Sequence, residues 1–333
     1  MKKKGTFYIL IPFVLLVMLL VGPRPKTPLY LLNWPQVGKS GLELSDSIVQ
    51  REWSNPFVKP GNQSEIVWAD PINPEPTEWV ILYLHGFSAS HEEGAPVHCF
   101  LADTLHANLF LPRLVTHGVD SFPDMEGYTA DGLWRSAVRA LAVAEKLGDK
   151  VIIMSTSTGG TLAIRLAAEF PDKVNALINL SPNVHPLDPS SWVLNKPWGK
   201  QLTYLVMGGE TRKLEGKEDD YYHRYWNVEY HINSLVEMYQ LVATSMTPEV
   251  FHRVKQPSLT IMYYKNENER DPVVDTKEIE FMHENLGTPL DQKRLVPLEN
   301  AGTHVIGNGI YSEAIPEVEM EMLSFVDEVL NTP

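Results

Sequence analysis

Cysteine is nearly missing from this chain: Cys99 is the only one in 333 residues. An intrachain disulfide is therefore impossible, a cysteine-rich metal site is excluded, and so is a lipid anchor on a cysteine near the amino terminus. Basic residues are scarce as well, 28 Lys and Arg against 42 Asp and Glu, for a formal net charge of −14. Lys2, Lys3, Lys4, Arg24 and Lys26 fall among the first 28 residues, which hold no acid, so the remainder is more acidic still. Nucleic acid is not an expected partner, because neutralising phosphates takes clustered cations. No H-E-x-x-H or similarly spaced ligand set is present, which argues against metal-dependent hydrolysis. Neither a metal nor a cofactor is expected, and there is no internal repeat. What remains is ordinary globular material, 44% hydrophobic and 21% charged. Its length allows two domains of about 150 residues or one large α/β domain.

One long apolar run does occur. Lys2-Lys3-Lys4 precede Phe7 to Val21, FYILIPFVLLVMLLV, interrupted only by Pro12. Basic residues followed by about 15 apolar ones have the layout of a signal sequence. A full membrane span takes about 20 residues, and Gly5, Thr6, Gly22 and Pro23 can extend the run into the interface. No A-x-A-like cleavage site follows, and Pro23, Pro25 and Pro28 crowd the place where one would lie. Residues 1–22 therefore read as an uncleaved signal anchor, with a cleaved signal peptide and secretion as the alternative. The positive-inside tendency would leave the body outside the cytoplasm. Residues 23–60 read as a proline-containing tether and approach, with a short helix from Leu42 to Trp53.

Beyond residue 60 strands and helices alternate. Short apolar runs mark strands at Ser64–Ala69, Trp79–Leu84, Asn108–Leu111, Val151–Met154, Ala176–Leu180, Leu259–Tyr263 and Lys293–Pro297. WVILYL, apolar throughout, suits a central strand covered on both faces. Helical patterns intervene at Pro96–His106, Ala130–Leu147, Gly160–Phe170 and Thr276–Leu286, and another closes the chain around Ile315–Leu330. This alternation predicts an α/β fold, a mostly parallel central sheet flanked by helices. From about Val184 to Val250 no buried strand is evident. That stretch holds nine of the 21 Tyr and Trp residues. The core is thus expected over 61–183 and 251–333, with 184–250 as a helical cap over the carboxyl ends of the strands, where open α/β sheets bind ligands.

After the strand at Val151–Met154 comes Ser155-Thr156-Ser157-Thr158-Gly159-Gly160, then the helical TLAIRLAAEF. A strand turning sharply into a helix with serine at the apex is a nucleophile elbow. Residues two before and two after the serine must be small. Ser157 satisfies this with Ser155 and Gly159, whereas Ser155 would bring Ile153 into the turn. Here the chain resembles the α/β-hydrolase superfamily over roughly residues 64–330, although Ser155 stands where the usual G-x-S-x-G has glycine. The resemblance implies an oxyanion hole from the turn His85-Gly86-Phe87-Ser88 and from the residue after the nucleophile, that is, the N–H groups of Phe87 and Thr158. It also implies the order Ser, acid, His. That order picks His304, in the loop after the last strand, from 11 histidines. The acid should lie in KNENERDPVVD, which offers Glu267, Glu269, Asp271 and Asp275. Asp271-Pro272-Val273-Val274 matches the family pattern, and Glu269 is the alternative.

Pro112-Arg113-Leu114, His117-Gly118 and the compact cap resemble the monoacylglycerol lipase, bacterial carboxylesterase and serine aminopeptidase-like branch. The resemblance implies a serine hydrolase that cleaves acyl esters through an acyl-enzyme at Ser157, with a small acyl ester or lipid as substrate and the membrane as a partner through the amino-terminal run. Two other readings stay open. One is a peptidase holding a free amino terminus with Glu210, Glu215, Glu218, Asp219 and Asp220. The other is a membrane-tethered binding module without catalysis.

Overall fold

WVILYL lies where its composition requires. In a computed structural model of the chain, which describes residues 21–38, 41–120, 124–214 and 219–330, strand β2 (Thr77–Leu84) is fully buried from Val80 to Leu84. Val80, Leu82 and Leu84 join one hydrophobic cluster and Ile81 and Tyr83 the other, so each face of the strand feeds its own core layer. The apolar run and the signal-anchor reading over residues 1–20 lie outside the described residues. Among the described residues no helix is long and apolar enough to cross a membrane.

Around β2 the main sheet holds eight strands. β1 (Glu65–Val67), β3 (Asn108–Leu111), β2, β4 (Gly148–Thr156), β5 (Ala176–Leu180), β8 (Ser258–Asn266) and β10 (Lys293–Leu298) follow in that spatial order, and the short β9 (Glu269–Arg270) pairs with β8. All neighbours from β3 to β10 are parallel, while β1 and β9 are antiparallel additions. Helices Ala130–Ala144, Thr158–Glu169 and Thr276–Asn285 cover one face, and Val97–Thr104 and Ile315–Phe325 cover the other. The expected α/β architecture is the observed one.

Two stretches differ from the expectation. Between β5 and β8, where no buried strand was expected, lie two short and largely unburied strands, β6 (Thr211–Lys213) and β7 (Glu229–His231), paired antiparallel. Three-residue segments with polar side chains carry no periodic signal, and only the tertiary fold brings their backbones into register. Helix Ile232–Ser245, later in the same stretch, sends Leu235, Met238, Leu241 and Val242 into the main core. The cap surface proper is thus carried by the turn Ser191–Asn195, helix Gly199–Met207 and helix Asp220–Tyr225.

The tether reading of 23–60 needs correction for residues 28–34, which form an arm laid along the helices. Tyr30 Oη bonds Thr244 Oγ1 (2.6 Å) and Ser245 Oγ (2.9 Å), with the Arg165 guanidinium 4.0 Å above its ring. Trp134 Nε1 donates to the Leu31 carbonyl at 3.0 Å, and Trp34 packs edge-on against Phe170. The partners lie about a hundred residues or more downstream, so nothing local announces them. The helix expected at Leu42–Trp53 is present with those bounds.

Candidate active site

Each segment singled out in the sequence leaves the sheet at the carboxyl end of a strand. Ser157 follows β4 with φ 54° and ψ −121°, a left-handed conformation that a residue with a Cβ holds only where its surroundings impose it. They do so from three sides. The Ser157 N–H donates to the Leu180 carbonyl (3.1 Å), and the Ser157 carbonyl accepts from Gly160 N–H and Asn183 N–H, both at 2.8 Å. A Cβ at Gly159 would run into the carbonyl of Leu84, and one at Gly160 into Pro182. Ser155 is accommodated because its hydroxyl donates to Asn179 Oδ1 on the neighbouring strand at 2.9 Å. The missing glycine is thus replaced by a residue whose extra polar atom is satisfied.

The turn after β2 is held at both ends of one residue. Gly86 N–H donates to Glu93 Oε2 at 2.6 Å. Leu114 N–H donates to His85 Nε2 (3.1 Å), which leaves the proton on Nδ1, 3.0 Å from the Gly86 carbonyl. Burial holds the His85 imidazole well below its ordinary pKa, so it stays neutral. In a trans peptide the N–H points opposite to the C=O. Pinning the Gly86 carbonyl to His85 therefore aims the Phe87 N–H the other way. Neither the Phe87 N–H nor the Thr158 N–H has an acceptor among the described residues, and both residues line the same cavity as Ser157.

His304 lies beyond β10. Its Nδ1 is 2.8 Å from Asp271 Oδ2 and 3.0 Å from Oδ1. Asp271 is fixed in turn. Its N–H donates to the Tyr263 carbonyl (3.0 Å), and its Oδ1 accepts from Val273 N–H (2.9 Å) and Val274 N–H (3.1 Å). Burial by itself would raise the Asp271 carboxyl, but His304 and the two amides outweigh it and hold the group ionised below its usual range. For His304, burial lowers the imidazole while Asp271 and then Glu93 raise it, and the net direction is up. Nε2 of His304 is buried and makes no hydrogen bond among the described residues, including none to Ser157.

The other acids of that loop are engaged elsewhere. Exposed Glu269 pairs with Lys265 (2.9 Å), Glu267 with Lys277 (3.1 Å), and Asp275 accepts from Lys277 N–H at the start of its helix. Of the five cap acids, Glu215 and Glu218 lie outside the described residues. Asp219 accepts from Tyr222 N–H and the Tyr311 hydroxyl, and neither Glu210, Asp219 nor Asp220 lines the cavity.

A cavity of about 710 Å³ contains Ser157, Thr158, Phe87 and His304. Its walls include Val193, Leu194, Leu214, Leu235, Met238 and Val273. Of the nine aromatic residues of the 184–250 stretch, Tyr222, Trp226 and Tyr230 reach it. Tyr222 and Trp226 stack at 4.7 Å. The remaining rings pack elsewhere or face solvent.

Sequence reasoning passed over Glu93. This carboxyl is 3% exposed and lines the cavity, and burial pushes its pKa up to about 7. A Cβ placed on Gly86 would lie 3.0 Å both from its oxygens and from Ser157 Cβ. Only its place a few residues past His85-Gly86 hinted at the site, and nothing in the string His91-Glu92-Glu93 tells which acid turns inward.

A family model described as the alpha/beta hydrolase fold matches residues 80–239. No curated protein matches the sequence. Among solved structures, one from work on the metagenome-derived lipolytic enzymes LipS and LipT is similar with a TM-score of 0.64 at 19% identity, over 81% of this chain and 99% of that one. A monoacylglycerol lipase from Paleococcus ferrophilus is similar at 0.54 and 15%, over 80% and 98%. A putative non-heme bromoperoxidase, BpoC from Mycobacterium tuberculosis, is similar at 0.55 and 13%, over 82% and 98%. The chain has the α/β-hydrolase fold, as its strand order and the turn at Ser157 had indicated. At such identities the likeness carries the fold, and the reaction has to be argued from the site.

Proposed function

We propose that the protein is a serine hydrolase of carboxylic esters, with Ser157 as nucleophile, His304 as base, Asp271 as its acid partner, and the N–H groups of Phe87 and Thr158 as the oxyanion hole. The observation that carries this reading is one cavity combining a strained serine, an Asp-bound imidazole with a free Nε2, and two backbone donors without acceptors.

In the first step Ser157 Oγ bonds to the ester carbonyl carbon as its proton passes to His304 Nε2. The carbonyl oxygen becomes an oxyanion, stabilised by preorganised donors at about 3 kcal/mol each. Collapse breaks the bond to the leaving oxygen, which takes the proton from His304, and the acyl group stays on Ser157. Water, deprotonated by His304, repeats the sequence and releases the carboxylic acid. Asp271 keeps the Nδ1–H tautomer and stabilises the imidazolium.

The apolar wall favours an acyl chain over a charged one, and two of the similar structures are lipolytic by name. For the peptidase reading, Glu210, Asp219 and Asp220 do not line the cavity, and Glu215 and Glu218 lie outside the described residues. In the same reading the run at Phe7–Val21 is an uncleaved anchor and the catalytic body extracytoplasmic.

The test is labelling of the full chain by a fluorophosphonate probe, with turnover of p-nitrophenyl esters, monoacylglycerols and aminoacyl amides. Labelling that Ser157→Ala abolishes, with ester turnover, supports the proposal. Turnover of amides alone would replace it with the peptidase, and absence of labelling would replace it with a binding module.

A further inference from the structure

The helix Gly199–Met207, GKQLTYLVM, presents its apolar residues outward. Leu205 is 79% and Val206 82% exposed, with Leu202 and Met207 also exposed and Trp192 and Trp198 beside them. Leu202, Leu205 and Val206 follow the 3-and-4 spacing of one helical face. A contiguous patch of this kind on a soluble surface marks an interaction site.

Three observations say what covers it. The first is where the amino-terminal run meets the body: Trp198 N–H donates to the Pro23 carbonyl at 2.9 Å, and Gly22 lies so close against the Trp198 indole that a Cβ there would enter the ring. The apolar run ending at Val21 therefore joins the folded body beside this helix. The second is composition. Lys196 and Lys200 bracket Trp198, Arg24 and Lys26 follow Pro23, all in a strongly acidic chain, and the helix itself carries no acid. Tryptophan and basic residues flanking an apolar face suit the lipid headgroup region. The third is continuity: Leu202, Val206 and Met207 also line the cavity that holds Ser157 and His304.

We infer that helix Gly199–Met207 with Trp192 and Trp198 is an interfacial docking surface for a phospholipid bilayer, which sets the mouth of the cavity against the membrane. The docking rests on this surface alone. That it delivers lipid acyl chains to the cavity rests on the ester-hydrolase reading.

The experiment uses the full chain carrying Cys99→Ser and either Leu205→Cys or Leu290→Cys, each labelled with an environment-sensitive fluorophore. Leu290 is 85% exposed and precedes β10, at the opposite end of the parallel strands from the cavity. On vesicles of phosphatidylcholine and phosphatidylglycerol, the probe at 205 should shift to the blue and become shielded from iodide, and the probe at 290 should not. Equal response at both positions, or none at 205, overturns the inference. So does shielding at 205 before vesicles are added, whether it depends on protein concentration (a second copy) or not (residues 7–20 of the same chain).

A second measurement reads activity. Leu205 does not line the cavity. Leu205→Glu should lower turnover of vesicle-borne monoacylglycerol about tenfold, the scale of losing one buried leucine, and leave a water-soluble p-nitrophenyl ester unaffected. An unchanged ratio between the two substrates counts against docking, whereas loss of the soluble activity in the parent chain would count against the hydrolase reading instead.

Discussion

Ser157 and His304 owe their geometry to what their neighbours do to them. The serine keeps φ 54° because the Leu180 carbonyl and the Asn183 and Gly160 amides bond its backbone. The imidazole keeps a free Nε2 because Asp271 occupies Nδ1. Ser157→Ala and His304→Ala should each cut kcat by about 10⁶-fold with an unchanged circular dichroism spectrum, and Asp271→Asn should cost about 10⁴-fold. Glu93 supplies a prediction of opposite sign. Its ionised form helps to raise His304, so Glu93→Gln, which still accepts from Gly86 N–H, should move the acid limb of the kcat/KM profile to lower pH. Its effect on stability follows from linkage. The Glu93 pKa is raised on folding to about 7, so the burial cost grows as pH rises from the unfolded value of about 4.3 and is complete above 7. Thermal melts should therefore show Glu93→Gln stabilised at pH 8, on the order of 3 kcal/mol, with the gain gone at pH 4. Asp271 behaves in the reverse sense: its depressed pKa contributes stability at neutral pH that is lost as pH falls through the folded value.

At the scale of elements, the crossing of β4 into helix Thr158–Glu169 is the tightest point of the fold. Gly159 sits against the end of β2, where a methyl group would meet the Leu84 and His85 carbonyls. Gly159→Ala must displace either the serine turn or the Phe87 turn, since both pack at that contact. Loss of fluorophosphonate labelling and a lower melting temperature are the expected results, and a fully active Gly159→Ala would show that the turn is looser than its contacts require. This element was legible in the sequence because a buried strand, small residues and a helix occur in direct succession. β6 and β7 were not, since three-residue polar strands are defined only by each other. The acid proposed to partner His304 was legible to within one loop. What distinguishes Asp271 from Glu269 is the hairpin of β8 and β9, which turns one residue inward to His304 and leaves the other on Lys265.

Across the whole molecule the amino-terminal region is bound in by a buried ion pair. Arg113 Nε donates to Glu52 Oε2 at 2.6 Å and Nη1 to the His117 carbonyl at 3.1 Å, so the loop after β3 is tied to helix Leu42–Trp53. Glu52 is only 2% exposed. Arg113→Met would leave that carboxylate buried with only the Ser64 hydroxyl and the partly exposed Arg51 near it. A loss of about 3 kcal/mol in urea unfolding is expected. No loss would mean that Glu52 finds water or Arg51 without cost.

The amino-acid order alone determined the alternation of elements, the central place of WVILYL and the serine turn. Each of these is a local pattern, set by side-chain period or by the size of adjacent residues. Only the tertiary structure decided that Glu93 lines the cavity of the serine, that residues 28–34 run along distant helices, and that the start of the body at Pro23 bonds Trp198 at the head of helix Gly199–Met207. Those contacts join residues far apart in the chain, and burial and hydrogen bonding between them exist only once the sheet has brought its strand ends together.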